Sequence, residues 1–192
     1  MKPDLSQKLW AGWCVGMLAA ILAAPTLYFA VQVSLIRDFL RAQGLNEIVF
    51  AWAALMVLSA GLELFLLFVY DQLFSQLYAK EIMAGPITII FLLRCVEAIL
   101  VLASAISKGF DWAPVFFALL AVFEGLVLIV WGSRLVDFSA TGGPEWRRLG
   151  HWTIARGVCK ASVILLPISF LVAIGFFVVS ALLFRTASQK IS

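Results

Sequence analysis

Five ionisable side chains stand in or beside stretches of sequence that are otherwise apolar: Glu63, Arg94, Glu97, Glu124 and Lys160. Such groups have two chemical uses in these surroundings. They pair with one another and hold helices together, or they pass protons or bind a cation. Both uses follow from the cost of an uncompensated charge in a medium that cannot solvate it. Arg94 and Glu97 are three residues apart, which places them on one face of a helix within pairing distance. Glu63 and Glu124 then depend on Arg94, on Lys160, on a proton or on a bound cation. Three carboxylates against two cations leave an acidic surplus. At least one of Glu63 and Glu124 is therefore expected to be neutral at pH 7, because desolvation disfavours the charged form.

Other catalytic templates are missing. The chain has no G-x-S-x-G, no phosphate-binding loop and no dinucleotide fingerprint between a strand and a helix. Thr141-Gly142-Gly143-Pro144 is a turn by composition. One histidine, His151, leaves haem held by two histidines and zinc-protease motifs without the partners they need in this chain. Cys14, Cys95 and Cys159 have no C-x-x-C spacing and are read as small buried hydrophobes, so neither a metal nor a cofactor is expected. Lys and Arg total 14 against 11 acidic residues, with no basic stretch suited to a phosphate backbone. Nucleic acid is therefore not an expected partner.

The elements that must position the charges follow from composition. Of 192 residues, 64% are hydrophobic and 13% charged, against about 45–50% and about 25% in soluble domains. Apolar runs at 9–36, 48–70, 87–107, 114–131 and 159–184 each approach or exceed the roughly 20 helical residues that cross a bilayer. The runs are continuous rather than alternating, which excludes barrel strands and leaves helices as the way to pair the backbone in lipid. The expectation is an all-α integral membrane protein, one membrane domain over 1–192, built as a five-helix bundle with short loops. The first run is too long for a signal peptide and is read as retained. Pro25 and Pro167 should kink their helices. At the helical rise, Glu63, Arg94 and Glu124 each lie about 10 Å from one shared side and Glu97 about 15 Å, so the charges occupy one depth band.

Orientation is expected from the basic residues. Lys2, Lys8, Lys80, Arg134, Arg147, Arg148 and Arg156 fall on one side, with Arg37, Arg41, Lys108, Arg185 and Lys190 on the other. This count places the N-terminus in the cytoplasm and the C-terminus outside, in a plasma or bacterial inner membrane. Trp10, Trp13, Trp131, Trp146 and Trp152 near one interface, with Trp52 and Trp112 near the other, read as aromatic belts. Segments 71–84 and 144–157 read as helices lying on the membrane surface. In the second, Trp146, Arg147, Arg148, Trp152 and Arg156 are the expected lipid contacts. Gly12, Gly16, Ala20 and Ala24 form a row of small residues for close helix packing, offered as the contact surface for another subunit.

Together these features predict a small non-enzymatic membrane protein, acting as a subunit or assembly partner of a larger membrane complex or by self-association. The alternative is a small oligomeric channel or transporter that moves a cation or proton on Glu63, Glu97 and Glu124. Against it, the other half of the spans offers only Gln32, Ser34 and Ser104 as polar lining.

Overall fold

Apolar runs punctuated by glycine and proline fold into helices throughout. A computed structural model describes residues 3–43, 46–75, 84–106, 113–162 and 165–191. Within them lie α1 (Pro3–Ala42), α2 (Asn46–Leu73), α3 (Ala84–Ile106), α4 (Ala113–Gly142), α5 (Pro144–Ala161) and α6 (Leu166–Ile191), with no strand among the described residues. Five stretches are long and apolar enough to cross a membrane: Leu5–Ala23, Glu47–Leu73, Gly85–Ile106, Val115–Gly142 and Ile168–Gln189. The sixth helix, α5, is polar, carrying Arg147, Arg148, His151, Arg156 and Lys160 in 18 residues.

The boundaries differ from the sequence expectation at the C-terminal end. The run 114–131 extends to Gly142. The run 159–184 is not one helix. Residues 159–161 close α5, Ser162 adopts an extended backbone, and a new helix starts at Leu166. Pro167 therefore stands in the first turn of α6, where its missing N–H costs nothing, instead of kinking a helix interior. Pro25 does lie within α1. α2 runs to Leu73 with residues 74–75 wound beyond it, and 76–83 of the expected surface segment lie outside the described residues.

Helix α5 does not lie flat on a surface. Two glycines on α4, Gly125 and Gly132, meet two on α5, Gly157 and Gly150, each pair seven residues apart. A methyl group on Gly157 would sit 2.6 Å from the carbonyl oxygen of Gly125, and one on Gly125 would sit 2.6 Å from that of Gly157. Gly132 and Gly150 meet in the same reciprocal way at 2.8 Å. Early residues of α4 thus face late residues of α5, so the two helices are antiparallel and almost backbone to backbone. On the other flank, the Trp152 ring lies against Gly175 of α6 where a methyl group would be 2.5 Å away. α5 runs back into the bundle beside α4, covering about 27 Å at the helical rise.

The small-residue row of α1 also faces inward. Gly12 lies against Phe184 and Val69, Gly16 against Ala181, and Ala20 is buried. The Ala24 side chain lies outside the described residues. The expectation that this row serves another subunit is therefore corrected: α6 and α2 occupy it. These contacts make α1 and α6 antiparallel, and Arg185 stands over the Trp13 ring at 5.9 Å. The N-terminal end of α1 and the C-terminal end of α6 consequently share one end of the bundle, called here the terminal end. The sequence expectation put them on opposite sides. The reversal has one cause: α5 turns the chain back along the bundle, which its polar composition concealed.

The main core fills the terminal half of the bundle. Phe74 packs against Phe138 and Trp146 in one aromatic layer, and Tyr70 against Trp131 and Phe184 in the next. A smaller core of Val49, Ala53, Val101 and Ala105 with Trp52, Met56 and Phe117 fills the other half between α2, α3 and α4.

The glycine seam makes a direct expectation. Gly157→Val should remove the folded state in detergent, since overpacking a tight contact costs about 1–3 kcal/mol and here the clash is with backbone. Gly61→Ala should leave the melting temperature unchanged or higher, because nothing lies within 4 Å of its added methyl group. Thermal melts followed by circular dichroism would separate the two.

Candidate functional site

The charged residues assemble midway along the bundle. Glu63 stands seven residues before Tyr70 on α2, and Glu124 seven before Trp131 on α4. Tyr70 and Trp131 are in ring contact at 5.5 Å, so both carboxyls lie about 10 Å beyond that layer at the helical rise. Arg94 of α3 reaches between them. Its Nη2 is 2.8 Å from Glu63 Oε2 and 2.9 Å from Glu124 Oε1, and its Nη1 donates to Glu97 Oε2. Lys160 of α5 donates to Glu124 Oε2 at 2.6 Å. All five sequence-predicted members therefore meet in one network across four helices.

A sixth member is missing from the sequence-derived set. Arg156 of α5 pairs through Nη1 with Glu63 Oε1, and its guanidinium lies 5.2 and 5.3 Å from the ring centres of Phe176 and Phe177. Its side chain is 5% exposed. The expectation of a lipid-surface contact is corrected for this residue. Trp146 is also corrected, buried against Phe74 and Phe138. Arg147, Arg148 and Trp152 are exposed. A signal for Arg156 was available: it stands four residues before Lys160, on the same helical face. The seven-residue glycine spacing of α5 also matches that of α4. Both were obscured because a helix this polar reads as a surface element.

Arg156 changes the charge count. Glu63, Glu97 and Glu124 now face Arg94, Arg156 and Lys160, three against three. The acidic surplus on which the expected neutral carboxyl rested is therefore not present among the described residues. Glu63 lies between Arg94 and Arg156, Glu124 between Arg94 and Lys160, and Arg94 holds the centre. Glu97 is the outermost member, its side chain 23% exposed against 4–11% for the others.

Both ends of the network are closed by apolar packing. Toward the terminal end lie Phe176 and Phe177, then the fully buried Tyr70, Trp131 and Phe184. Toward the opposite end lies the smaller aliphatic core, where the buried Ser104 hydroxyl donates to the carbonyl of Val101. Buried donors on Arg94 Nε, Arg156 Nε and Trp131 Nε1 make no hydrogen bond to another protein atom. Leaving such groups unpaired costs about 1–3 kcal/mol each, so Coulomb attraction rather than complete hydrogen bonding sets this arrangement. Among the described residues no three His, Cys, Asp or Glu side chains are gathered to hold a metal ion, and the three cysteines are free.

Removing one member should expose the cost of its partner. Arg156→Leu leaves Glu63 half-compensated and is expected to destabilise the fold by about 3–5 kcal/mol. Glu63→Leu combined with Arg156→Leu should recover most of that loss. A double variant no more stable than the single one, measured by denaturation in detergent, would show that the two groups are not coupled.

Comparison with protein families, curated proteins and solved structures finds no match for the chain.

Proposed function

We propose that the chain is an integral membrane protein without enzymatic activity that serves as a subunit or assembly partner of a larger membrane complex. The observation that carries this reading is the closed, balanced charge network. Its three carboxylates and three cations satisfy one another across α2, α3, α4 and α5. Apolar layers lie on both sides of it. A charge set arranged in this way fixes helix order and register, as buried polar pairs do elsewhere. The outer surface of α3 and α4 supports the same reading. Ile99, Ile106, Leu119 and Phe123 are among the large apolar side chains it exposes, suited to lipid or to neighbouring spans.

Five apolar helices with α5 inserted among them set the proposed topology. Outside the network, Lys8, Arg134, Arg147, Arg148, Arg185 and Lys190 belong to the terminal half, while Arg37 and Arg41 belong to the far end of α1. Six against two among the described residues favours a cytoplasmic terminal end under the positive-inside rule. Both termini would then be cytoplasmic. A second reading, transport of a proton or cation on Glu63, Glu97 and Glu124, has one observation in its favour. The buried Tyr70 hydroxyl, about 10 Å from the network toward the terminal end, is a group of the kind a proton relay uses.

Reporter fusions at Met1 and at Ser192 are expected to read as cytoplasmic together; opposite readings would remove α5 as a pass. Extraction in mild detergent should recover the chain with a second membrane protein at fixed stoichiometry. Purified chain alone in liposomes is expected to move neither protons nor alkali cations. A flux abolished by Glu124→Gln would favour the second reading.

A further inference from the structure

The terminal end of the bundle carries a groove that the charge network does not use. It is a shallow, open groove of about 350 Å³ lined by Ser6, Gln7 and Trp10 of α1 and Ser188 and Gln189 of α6. One turn deeper along the same antiparallel helices, next to the groove, stand Arg185 and Trp13. There the exposed Arg185 guanidinium stands 5.9 Å from the Trp13 ring, and Trp13 lies 6.3 Å from Trp10. The groove thus offers two hydroxyls, two amides and one indole, with the Arg185 guanidinium and the Trp13 ring next to it along the same two helices and no carboxylate among these residues. The Ser188 hydroxyl donates to the Arg185 carbonyl at 2.8 Å; the Arg185 guanidinium with the Ser6 hydroxyl and the Gln7 amide is a donor set that receives a phosphate oxygen.

From Trp10 toward the middle of the bundle the same two helices change character. α1 exposes Trp10 (62%), Met17 (37%) and Ile21 (66%) at spacings of seven and four, a single helical stripe. α6 exposes Leu182 and Leu171. A polar mouth therefore opens at the terminal end, and apolar stripes run from it toward the middle of the bundle. Neither half alone identifies a ligand. Their order does, because one molecule presents a phosphate at one end and hydrocarbon along the rest. A free phosphate or nucleotide would use only the mouth and would gain nothing from an exposed tryptophan or the stripe below it. An indole pair at the level of an arginine is also the arrangement that suits a headgroup boundary.

We propose that the α1–α6 groove binds one anionic glycerophospholipid, its phosphate on Arg185 with the Ser6, Gln7, Ser188 and Gln189 side chains around it, and an acyl chain along the Trp10–Met17–Ile21 stripe. This rests on the bundle lying in a bilayer, but not on the partner-subunit reading. The lipid covers the line where the first and last helices meet, so it also clasps the two chain ends.

Native mass spectrometry of the full chain, extracted in mild detergent with phosphatidylglycerol added, tests it. One retained phosphatidylglycerol is expected, with phosphatidylcholine retained far less. Arg185→Gln should lower the bound fraction about fivefold, whereas Arg147→Gln with Arg148→Gln, on another helix, should not. Tryptophan fluorescence in vesicles gives an independent readout. Brominated phosphatidylglycerol should quench more strongly than brominated phosphatidylcholine, and Trp10→Phe should remove the difference. Equal retention of both lipids, or an Arg185→Gln variant that keeps full selectivity, overturns the proposal. Displacement by millimolar inorganic phosphate would reassign the groove to a soluble anion and overturn the lipid. A chain that fails to enter membranes at all would instead remove the bilayer reading beneath it.

Discussion

A cationic helix can be kept inside an apolar bundle only where two conditions are met together. Its backbone must come close enough to a neighbour to exclude solvent, and its charges must find opposite charges there. Helix α5 meets both through α4. The Gly125–Gly157 and Gly132–Gly150 contacts bring the two backbones together. That approach carries Lys160 to Glu124 and Arg156 to Glu63. Neither condition suffices alone. Without the glycines the ammonium and guanidinium would fall short of their carboxylates, and without the carboxylates the close contact would bury two bare cations.

The remaining helices are arranged around this insertion. Arg94 bridges α3 to both α2 and α4, so the peripheral helix is held by charge at mid-height and by the Val101–Ala105 contacts farther along. α6 packs against α5 through Trp152 and Gly175 and then returns along α1, where Gly12 and Gly16 accept Phe184 and Ala181. Small residues thus serve two separate seams, α4–α5 and α1–α6. At both they replace side-chain volume with backbone proximity, the usual means of holding helices that water does not push together.

Much of this is legible in the chain itself, and the parts that are not share one cause. The apolar runs mark five of six helices, and seven-residue offsets place Glu63 and Glu124 level with each other. The helix starting at Pro144 follows from a proline at the first helical position after Gly143, which holds a positive φ of 109°. What escaped was the destination of α5. Its composition matches a helix lying on a membrane surface, since basic and aromatic residues suit that place equally well. One misplaced element carries three consequences: Arg156 is left out of the network, the charge balance looks acidic, and the end of α6 is set at the opposite end of the bundle from the start of α1.

The sequence by itself determined the helical class, the set of apolar elements and the level at which five charges stand, because periodicity, length and helical rise are local properties. Only the tertiary structure decided which polar helix goes inside, which small-residue rows face which neighbours, and how many cations meet the three carboxylates. Those outcomes depend on pairwise fit between segments far apart in the chain. Gly157 has meaning only opposite Gly125, and Arg156 only beside Glu63, and neither relation is written in the residues adjacent to them.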